Sequence, residues 1–425
     1  VTDVQIAIRL GREAGMHCLT GIAAALCNIL FNKGMDEILA FCDFSHSDPS
    51  LLVKILSYYN LLLLYLQQKK NDTLISALKG LDIQFDEINI DGEYNITTYN
   101  IGFGAYSQNY SFFMDKGVTV DDVKVSGKYA KARSKDEVLF NTNGAIKTIV
   151  SLNPDFCLFQ EVDTYSTRSY FVDQYQMIKD NFNTYNSTFG INFHSTFLAY
   201  PLNDMIGRIN GGIATVSKYK IYNSIRHSFT VAKDLSKLFD LDRCFVSNEF
   251  KTSDGNILVI VNVHMSAYDE GGVIREQQLK ELNSYLKEVK EKGFYVIIGG
   301  DYNHDLLTYN PSFNYNYDNR PYTEYISHKH PEWLQHFFNT DYTHNIENGF
   351  RIATSDNAPT CRDACVEWEI GNGYVSNVDG FIVSDNIEVV GVKTIITKNG
   401  NKGADHFAFS DHDPVLLTFR FKQNA

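Results

Sequence analysis

The chain has 425 residues, 44% hydrophobic and 21% charged, which is the composition of a globular protein that can bury a sizeable core. That length suits one large domain with an extension. The net charge of −13 argues against binding of nucleic acid or anionic lipid through bulk attraction, so a phosphate-bearing substrate would need a metal ion or a few placed cations.

Residues 1–92 have a helical pattern. In "SDPSLLVKILSYYNLLLLYLQQKKN", Asp48 can cap a helix whose first position is Pro49, and Lys69 and Lys70 provide cations at its end. A second short helix is predicted in "NDTLISALKG". No catalytic constellation is recognisable here. We therefore predict a helical N-terminal region of unknown role over residues 1–92, followed by a second domain over residues 93–425.

Two apolar runs in this region, Leu19–Phe31 and Leu51–Leu66, are shorter than the ~20 residues that a membrane-spanning helix needs. We interpret them as buried helices. The start of the sequence shows no signal-peptide pattern, so a cytoplasmic protein is expected, with a membrane-associated or extracellular one as the alternative. The seven cysteines include no C-x-x-C pair, and buried free thiols are expected.

After Gly92 the pattern changes to short strands rich in Ile, Val, Phe and Tyr, bounded by Gly, Asn and Asp. The predicted strands are "EYNITTYNIGFG", "DFCLFQEVD", "GGIATVSKY", "CFVSNEF", "NILVIVNVHMSAY", "FYVIIGGDYN", "VDGFIVSD", "IEVVGVKTII" and "DPVLLTFRF". A long helix is predicted in "GGVIREQQLKELNSYLKEVKEKG". Many strands, few long helices and no strict alternation indicate two packed sheets with helices outside, an α/β fold.

Polar side chains recur where these strands end. A single acidic residue after a strand is usually a turn residue or a helix cap. Repetition at six places instead predicts that the strand ends converge on one pocket. The residues are Asn100, Glu161, His264, Asp301 with Asn303, Asp379, and Asp411 with His412. These hard oxygen ligands and imidazoles suit Mg²⁺ rather than a structural zinc site.

Six of these segments, in this order, resemble the endonuclease/exonuclease/phosphatase superfamily, which includes deoxyribonuclease- and exonuclease III-like enzymes. The segments are "TYNIGFG", "QEVD", "NVHMSAY", "GGDYNHD", "VDGFIVS" and "SDHDPV". The resemblance extends over roughly Glu93 to Lys422 and implies that residues 93–425 form the catalytic domain. Within the superfamily, these segments are most similar to those of a bacterial subgroup. The resemblance implies a four-layered α/β sandwich of two packed mixed β-sheets flanked by helices, here with the helical N-terminal extension.

The resemblance also implies a role for each of these residues. Glu161 would be the main metal ligand, with Asn100 beside it and Asp411 completing the acidic cluster. Asp301 and Asn303 would hold the attacking water and a phosphate oxygen. His264 would donate a hydrogen bond to the phosphate or protonate the leaving group. His412, oriented by Asp379, would contact the scissile phosphate.

The implied activity is hydrolysis of phosphodiester bonds by in-line attack of an activated water, with Mg²⁺ as cofactor and Mn²⁺ as a possible substitute. We expect a nucleic-acid substrate and hence a nuclease. The alternatives are a sphingomyelinase-like phospholipid phosphodiesterase or another phosphatase and, from a different class, a catalytically inactive binding module. No protein partner can be inferred from the sequence.

Four further residues are candidates for contacting the substrate. Arg168 follows Glu161 closely and Arg362 precedes the Asp379 strand, so either can bind phosphate or form a surface ion pair. Arg208 and Asn210 lie in "GRINGG", near a position where members of the family carry a phosphate-contacting group. The aromatic segment "TYNPSFNYNYDNRPYTEY" either lines a substrate groove or packs as a surface loop.

Overall fold

The computed structural model describes residues 87–119, 123–231, 242–267, 273–304, 306, 316–317, 320–321, 347–369, 375–399 and 405–422. The chain divides into two units, Val1–Gln84 and Phe85–Ala425, and the described residues all belong to the second. Residues 1–86 of the predicted helical region and most of the aromatic segment at residues 308–325 lie outside the described residues.

Within the described residues the strands are as follows. They are β1 (Glu93–Asn100), β2 (Lys116–Val118), β3 (Lys124–Ser126), β4 (Phe156–Asp163), β5 (Asn186–Leu198), β6 (Gly207–Ser217), β7 (Asn223–Ser228), β8 (Cys244–Lys251), β9 (Ile257–His264), β10 (Tyr295–Asp301), β11 (Asn316–Tyr317), β12 (Arg320–Pro321), β13 (Phe350–Ala353), β14 (Cys361–Arg362), β15 (Val375–Ser376), β16 (Asp379–Ser384), β17 (Ile387–Thr394) and β18 (Val415–Phe421). The helices are α1 (Lys135–Leu152), α2 (Gln174–Asn181) and α3 (Val273–Glu291), with 3₁₀ turns at Gly102–Gly104 and Thr167–Ser169.

Two six-stranded sheets form the centre of the domain. The first has the order β17-β18-β1-β4-β6-β5 and the second β13-β16-β10-β9-β8-β7. Each sheet contains one parallel pair, β1 with β4 and β9 with β10, among antiparallel neighbours. The parallel pairs are connected through α1 and α3 respectively, because a parallel pair needs a crossover that returns the chain to the same edge.

The two sheets pack face to face, and helices cover their outer faces. Ile96 and Leu158 of the first sheet share a buried cluster with Ile260 and Ile297 of the second. Two further clusters join each sheet to its helices. Ile146 and Ile149 of α1 and Ile178 of α2 pack on the first sheet, and Leu279, Leu282, Leu286 and Val289 of α3 pack on the second. The predicted four-layered α/β sandwich is confirmed.

Local sequence explains why the long helices begin and end where they do. The Ser134 hydroxyl accepts a hydrogen bond from the Glu137 backbone N–H and caps α1. Asn153 ends α1 in the left-handed conformation, and Gly293 follows α3 with a φ of +73°. No helix among the described residues is long and apolar enough to cross a membrane. Cys157 and Cys244 are buried free thiols, as predicted.

Candidate active site

Strand direction brings the predicted site residues to one edge of the sandwich. β1, β9 and β10 each end in a polar residue, namely Asn100, His264 and Asp301. β16 runs antiparallel to β10, so its first residue, Asp379, lies directly opposite Asp301. His264 is the register partner of Asp301 on the other side. Asp301 at the end of β10 therefore has two of the predicted site residues, His264 and Asp379, as immediate neighbours.

Close packing of β10 between its neighbours explains the glycine that precedes Asp301. A Cβ atom built on Gly300 would lie only 1.9 Å from the backbone oxygen of Val263 on β9. No larger residue fits there without moving the strands apart. The close packing of Gly300 against β9 thus restricts the position of the backbone immediately before Asp301.

Glu161 comes from an irregular position in β4. The register between β4 and β6 shifts between Phe159 and Val162, which places one extra residue on β4. Glu161 itself has a φ of +54°, in the left-handed region that is costly for residues other than glycine. A bulge of this kind re-aims a side chain, and here Glu161 points towards Asn100 and His264 rather than along the regular strand.

Asn100 joins two carboxylates that come from different sheets. Its Nδ2 donates to Asp301 Oδ2 at 2.9 Å and to Glu161 Oε1 at 3.3 Å. Its Oδ1 accepts from the Gly102 backbone N–H at 3.0 Å, which fixes the amide plane. Asp411 is held nearby, because the Ser410 hydroxyl contacts both the Asn100 backbone oxygen and Asp411 Oδ1.

The acidic cluster has the donor set of a hard-cation site. Burial raises the pKa of the Glu161 carboxyl, and the charge of Asp411 adds to the rise while Arg168 opposes it. Burial also raises the pKa of Asp411. Carboxylates held close together in this way are stabilised in their charged form by a divalent cation. Glu161 and Asp411 supply carboxylate oxygens, which Mg²⁺ prefers, so the residues present fit this ion. Asn100, predicted as a ligand, instead turns its amide nitrogen towards Glu161 and Asp301 and orients their carboxylates.

Asp379 and His412 form a buried pair. His412 Nδ1 lies 2.7 Å from Asp379 Oδ2, and both side chains are almost fully buried. Burial alone would lower the pKa of His412, but the negative charge of Asp379 outweighs it and the pKa lies well above its ordinary value. The other ring nitrogen, Nε2, faces the site at 3.8 Å from Asp301 Oδ2. The Asp379 carboxylate therefore orients the imidazole and favours its protonated form.

His264 has the opposite electrostatic environment. Burial lowers its pKa well below the ordinary value, and the charges of Arg243 and His412 lower it further. Arg243 Nη1 lies 2.8 Å from His264 Nε2, so the guanidinium donates to an unprotonated ring nitrogen. The other ring nitrogen, Nδ1, lies 3.3 Å from the Asn192 amide nitrogen Nδ2. His264 is thus a neutral imidazole held between Asn192 and Arg243.

Asn303 lies next to Asp301 but does not continue the strand. β10 ends at Asp301, Tyr302 is fully buried, and Asn303 has a φ of +51°. Its backbone N–H donates to Asp301 Oδ1 at 2.8 Å, and its side chain donates to the Met265 backbone oxygen. Arg275 donates to the Asn303 backbone oxygen. In this arrangement Asn303 orients the Asp301 carboxylate.

The four predicted substrate contacts have different surroundings. Arg168 forms two 3.0 Å contacts with Asp163 and stacks 4.0 Å from the centre of the Phe103 ring. Arg362 is buried and donates to backbone oxygens, including that of Ser107 at 2.9 Å.

Arg208 lies over the ring of Tyr165 at 5.3 Å. Asn210 donates to the Thr164 hydroxyl at 2.7 Å and contacts His194. Of the four candidates, only Arg168 lines a pocket that is also lined by Glu161 and His264.

A pocket opens beside the carboxylate cluster. It is lined by Glu161, His264, Arg168 and Arg243, and its walls include the rings of Phe103 and Phe193. Arg243 and Asn192 are pocket residues that sequence patterns do not single out. Arg243 precedes β8, whose first residue pairs with His264, so only the strand register reveals its proximity.

Comparison with known proteins identifies the family of this chain. The chain matches the family model of the Endonuclease/Exonuclease/phosphatase family over residues 138–412. No curated protein sequence matches the chain significantly.

Among solved structures, the domain is similar to D. rerio TDP2 complexed with a single-strand DNA product (14% identity, TM-score 0.47, 78% of this chain and 100% of that chain). The human Nocturnin catalytic domain with bound sulfate has 15% identity and a TM-score of 0.46, covering 80% of this chain and 97% of that chain. A Bacteroides thetaiotaomicron family protein has 14% identity and a TM-score of 0.46, covering 78% and 99%. These likenesses are distant, whereas the family model spans more than half of the chain, so this protein belongs to the endonuclease/exonuclease/phosphatase family.

Proposed function

We propose that this protein is a Mg²⁺-dependent phosphodiesterase that hydrolyses nucleic acid by in-line attack of an activated water. Family membership indicates a metal-dependent phosphoesterase; the ion and the substrate are our proposal. The observation that carries it is the hydrogen-bonded cluster of Asn100, Glu161 and Asp301 beside the Asp379-bound imidazole of His412.

The oxygen ligands come from Glu161 and Asp411, and Asn100 orients the Glu161 and Asp301 carboxylates through its amide nitrogen. A phosphodiester is anionic and repels a hydroxide-like nucleophile, so its charge must be neutralised before water can attack. When bound by these residues, Mg²⁺ supplies that neutralisation. Mn²⁺, which accepts the same oxygen ligands, is expected to substitute.

Asp301 is placed to orient the attacking water. Its Oδ1 is occupied by the Asn303 backbone N–H, while Oδ2 faces Asn100, His264 and His412. A carboxylate oxygen accepts more than one hydrogen bond, so Oδ2 retains capacity for a water proton. Fixing the carboxylate in one rotamer before the substrate arrives lowers the entropic cost of aligning the water.

Cationic groups are placed to hold the phosphate. The protonated form of His412, which the charge of Asp379 favours, carries a proton on Nε2 in addition to the Nδ1–H bound to Asp379. The Nε2 proton can be donated to a phosphate oxygen. Arg243 can donate to a second oxygen. His264 is neutral and accepts from Arg243, so we propose that it positions the guanidinium rather than serving as the acid.

The pocket beside Glu161 supports a nucleic-acid substrate. The rings of Phe103 and Phe193 line it together with Arg168 and Arg243. Single-stranded nucleic acid is bound by cationic groups along its backbone and by aromatic rings on which its bases stack. Phe193 is the partly exposed ring here, whereas Phe103 is buried beneath Arg168. A local site of this type is compatible with the net charge of −13.

A phospholipid substrate is the second candidate, favoured by exposed apolar side chains near the end of β5 and in the connection from β5 to β6. Phe197 is 62% exposed and Leu202 78% exposed, and the nearby Met205 is partly exposed as well. Exposed apolar side chains of this kind suit contact with a lipid surface. The two candidates therefore make different use of the surface around the same catalytic groups.

A substrate panel separates the candidates. The full chain is incubated with a labelled single-stranded oligonucleotide, plasmid DNA and sphingomyelin vesicles, each in Mg²⁺ or in EDTA. We expect Mg²⁺-dependent cleavage of nucleic acid and none of the lipid. Glu161→Gln, which keeps the shape of the side chain but removes its charge, is expected to lose this cleavage.

Cleavage of sphingomyelin but not of DNA would overturn the nucleic-acid proposal in favour of the lipid one. Hydrolysis of no phosphoester by the intact protein would favour the inactive binding module. Cleavage in EDTA at the rate seen in Mg²⁺ would contradict metal dependence.

A further inference from the structure

Cys361 lies against the catalytic imidazole through a backbone connection that fixes its position. It forms an isolated antiparallel bridge with His412, and the next residue, Arg362, donates its N–H to the Asp411 backbone oxygen at 3.0 Å. On its other side Cys361 pairs with Ser376 of β15. A thiol is thus held between two chain segments beside residues 411 and 412.

The side-chain atoms of this group form a cluster of potential ligands. Cys361 Sγ lies 3.7 Å from His412 Nε2. These two atoms and a carboxylate oxygen of Asp411 all lie within 4.8 Å of one another. In a tetrahedral zinc site the sulfur and nitrogen ligands are separated by about 3.6 Å, as follows from the usual bond lengths. The observed S–N separation already matches that value.

Asp379 prepares the imidazole for such a role. It binds Nδ1 of His412 at 2.7 Å, so Nε2 is the nitrogen directed at Cys361. Histidine ligands of zinc commonly bind a carboxylate through their other ring nitrogen, which fixes the orientation of the ring. The group therefore has an outer support as well as three donor atoms.

The chemistry of the donors differs from that of the Glu161–Asn100 cluster. Thiolate and imidazole ligands favour Zn²⁺, whereas carboxylate and amide oxygens favour Mg²⁺. The two donor sets meet at Asp411. A thiophilic ion bound at Cys361 would thus also be coordinated by Asp411 and by Nε2 of His412.

We propose that Cys361, Asp411 and His412 form a binding site for a thiophilic divalent cation such as Zn²⁺. Occupation of this site withdraws Nε2 of His412 from the substrate phosphate and inhibits hydrolysis. This goes beyond the proposed function, because ion binding is independent of the substrate and can be measured without it.

Metal binding by the full chain tests the site directly. Mg²⁺-loaded protein is titrated with Zn²⁺ by calorimetry and with Co²⁺ by absorption, where a thiolate ligand gives a near-ultraviolet charge-transfer band. Cys361→Ser is compared with Cys365→Ser, a matched change four residues away at a thiol outside the cluster. Differences between the two variants exclude ions bound elsewhere in the chain.

We expect the wild type and Cys365→Ser to bind Zn²⁺ equally and to show the thiolate band. Cys361→Ser should lose the band and weaken Zn²⁺ binding by at least about tenfold, the loss that removal of a supporting group already causes. An unchanged band and affinity in Cys361→Ser would overturn the proposal.

The inhibitory role needs a separate measurement. Hydrolysis of the oligonucleotide in excess Mg²⁺ is followed as Zn²⁺ is added, and a zinc chelator is then used to restore activity. Zn²⁺ should inhibit the wild type and Cys365→Ser, with Cys361→Ser at least about tenfold less sensitive. Equal sensitivity of Cys361→Ser would contradict the inhibitory role, while the binding results stand even if no phosphoester is hydrolysed.

Discussion

Asn100 donates a 2.9 Å hydrogen bond to Asp301, and through it the end of β1 in one sheet is joined to the end of β10 in the other. The same amide nitrogen reaches Glu161 at 3.3 Å. This contact joins the two sheets at the edge where the candidate catalytic groups lie. Because the Glu161 and Asp301 carboxylates both accept from this amide nitrogen, they are held near each other despite their mutual repulsion.

Asn100→Ala removes that connection. We expect the Mg²⁺ concentration for half-maximal activity to rise by about 10–100-fold, as for loss of other groups that orient metal ligands. The measurement is a Mg²⁺ titration of oligonucleotide hydrolysis. Asn95→Ala, near the other end of β1 and bonded to Thr418, is the control. An equal Mg²⁺ requirement in both variants would contradict the role of Asn100.

The pH dependence of hydrolysis follows from two raised pKa values. His412 donates only when protonated, and its pKa lies well above the ordinary value because Asp379 outweighs burial. Activity should therefore persist at neutral pH and fall as the pH rises through that pKa. Burial raises the pKa of Glu161 in the metal-free site, so acidification should weaken Mg²⁺ binding at a pH above the ordinary range for glutamate.

Asp379→Asn tests the alkaline side of this profile. Without the carboxylate, burial is no longer outweighed and the pKa of His412 falls. The alkaline limb of kcat/KM should move to lower pH by at least about one unit, the shift typical of a lost opposite charge. A pH–rate profile of the variant and the wild type provides the measurement, and superimposable alkaline limbs would refute the assignment.

Arg243 is expected to determine the charge of His264. Its guanidinium is, after burial, the largest cause of the lowered pKa of that histidine. Arg243→Ala should therefore raise the pKa of His264, as followed by NMR titration of the imidazole protons. It should also lower kcat/KM, by about 10²-fold for loss of a phosphate donor. Arg226→Ala, on the neighbouring strand β7, serves as the control, and no pKa change on loss of Arg243 would refute the contact.

The second aspartate of the "SDHDPV" segment has a structural task that the sequence did not reveal. Asp413 is fully buried and accepts from the Thr397 hydroxyl at 2.5 Å and from the Phe407 backbone N–H, with His406 Nδ1 at 2.8 Å. These contacts fold the loop that carries Asp411 and His412.

Asp413→Ala should lower the free energy of unfolding by about 3–5 kcal/mol, since it leaves buried donors without their acceptor. Urea denaturation measures the change. Asp405→Ala, which removes a largely exposed ion pair with Lys398, should cost no more than about 1 kcal/mol. Equal losses in the two variants would show that Asp413 does not hold the loop.

The sequence predicted the fold best where burial dictates residue type. β9 and β10 are runs of Ile and Val buried on both faces, and α3 has an amphipathic pattern closed by Gly293. β5, "NSTFGINFHSTFL", was missed because it is the edge strand of its sheet and largely polar. Its pairing with β6 is a long-range contact rather than a local preference.

The site was predictable to the extent that polar residues end apolar strands. Asn100, His264, Asp301 and Asp379 lie together because the strand ends meet at one edge. The contacts of Arg243 and Cys361 depend on strand register and on a loop bridge, which no local pattern encodes. The sequence suggested that Arg362 can bind phosphate, but its guanidinium donates to backbone oxygens. These contacts depend on tertiary packing and cannot be predicted from the local sequence.

The rate of oligonucleotide hydrolysis by Asp301→Asn is the most direct test of a single catalytic centre at this edge. Its control is Asp385→Asn, an exposed aspartate just beyond the opposite end of β16 from Asp379. In saturating Mg²⁺, Asp301→Asn should hydrolyse the substrate at least about 10²–10⁴-fold more slowly than the wild type, the range expected for loss of an acid–base group. Asp385→Asn should match the wild type. Hydrolysis by Asp301→Asn at the rate of the wild type would place the catalytic centre elsewhere.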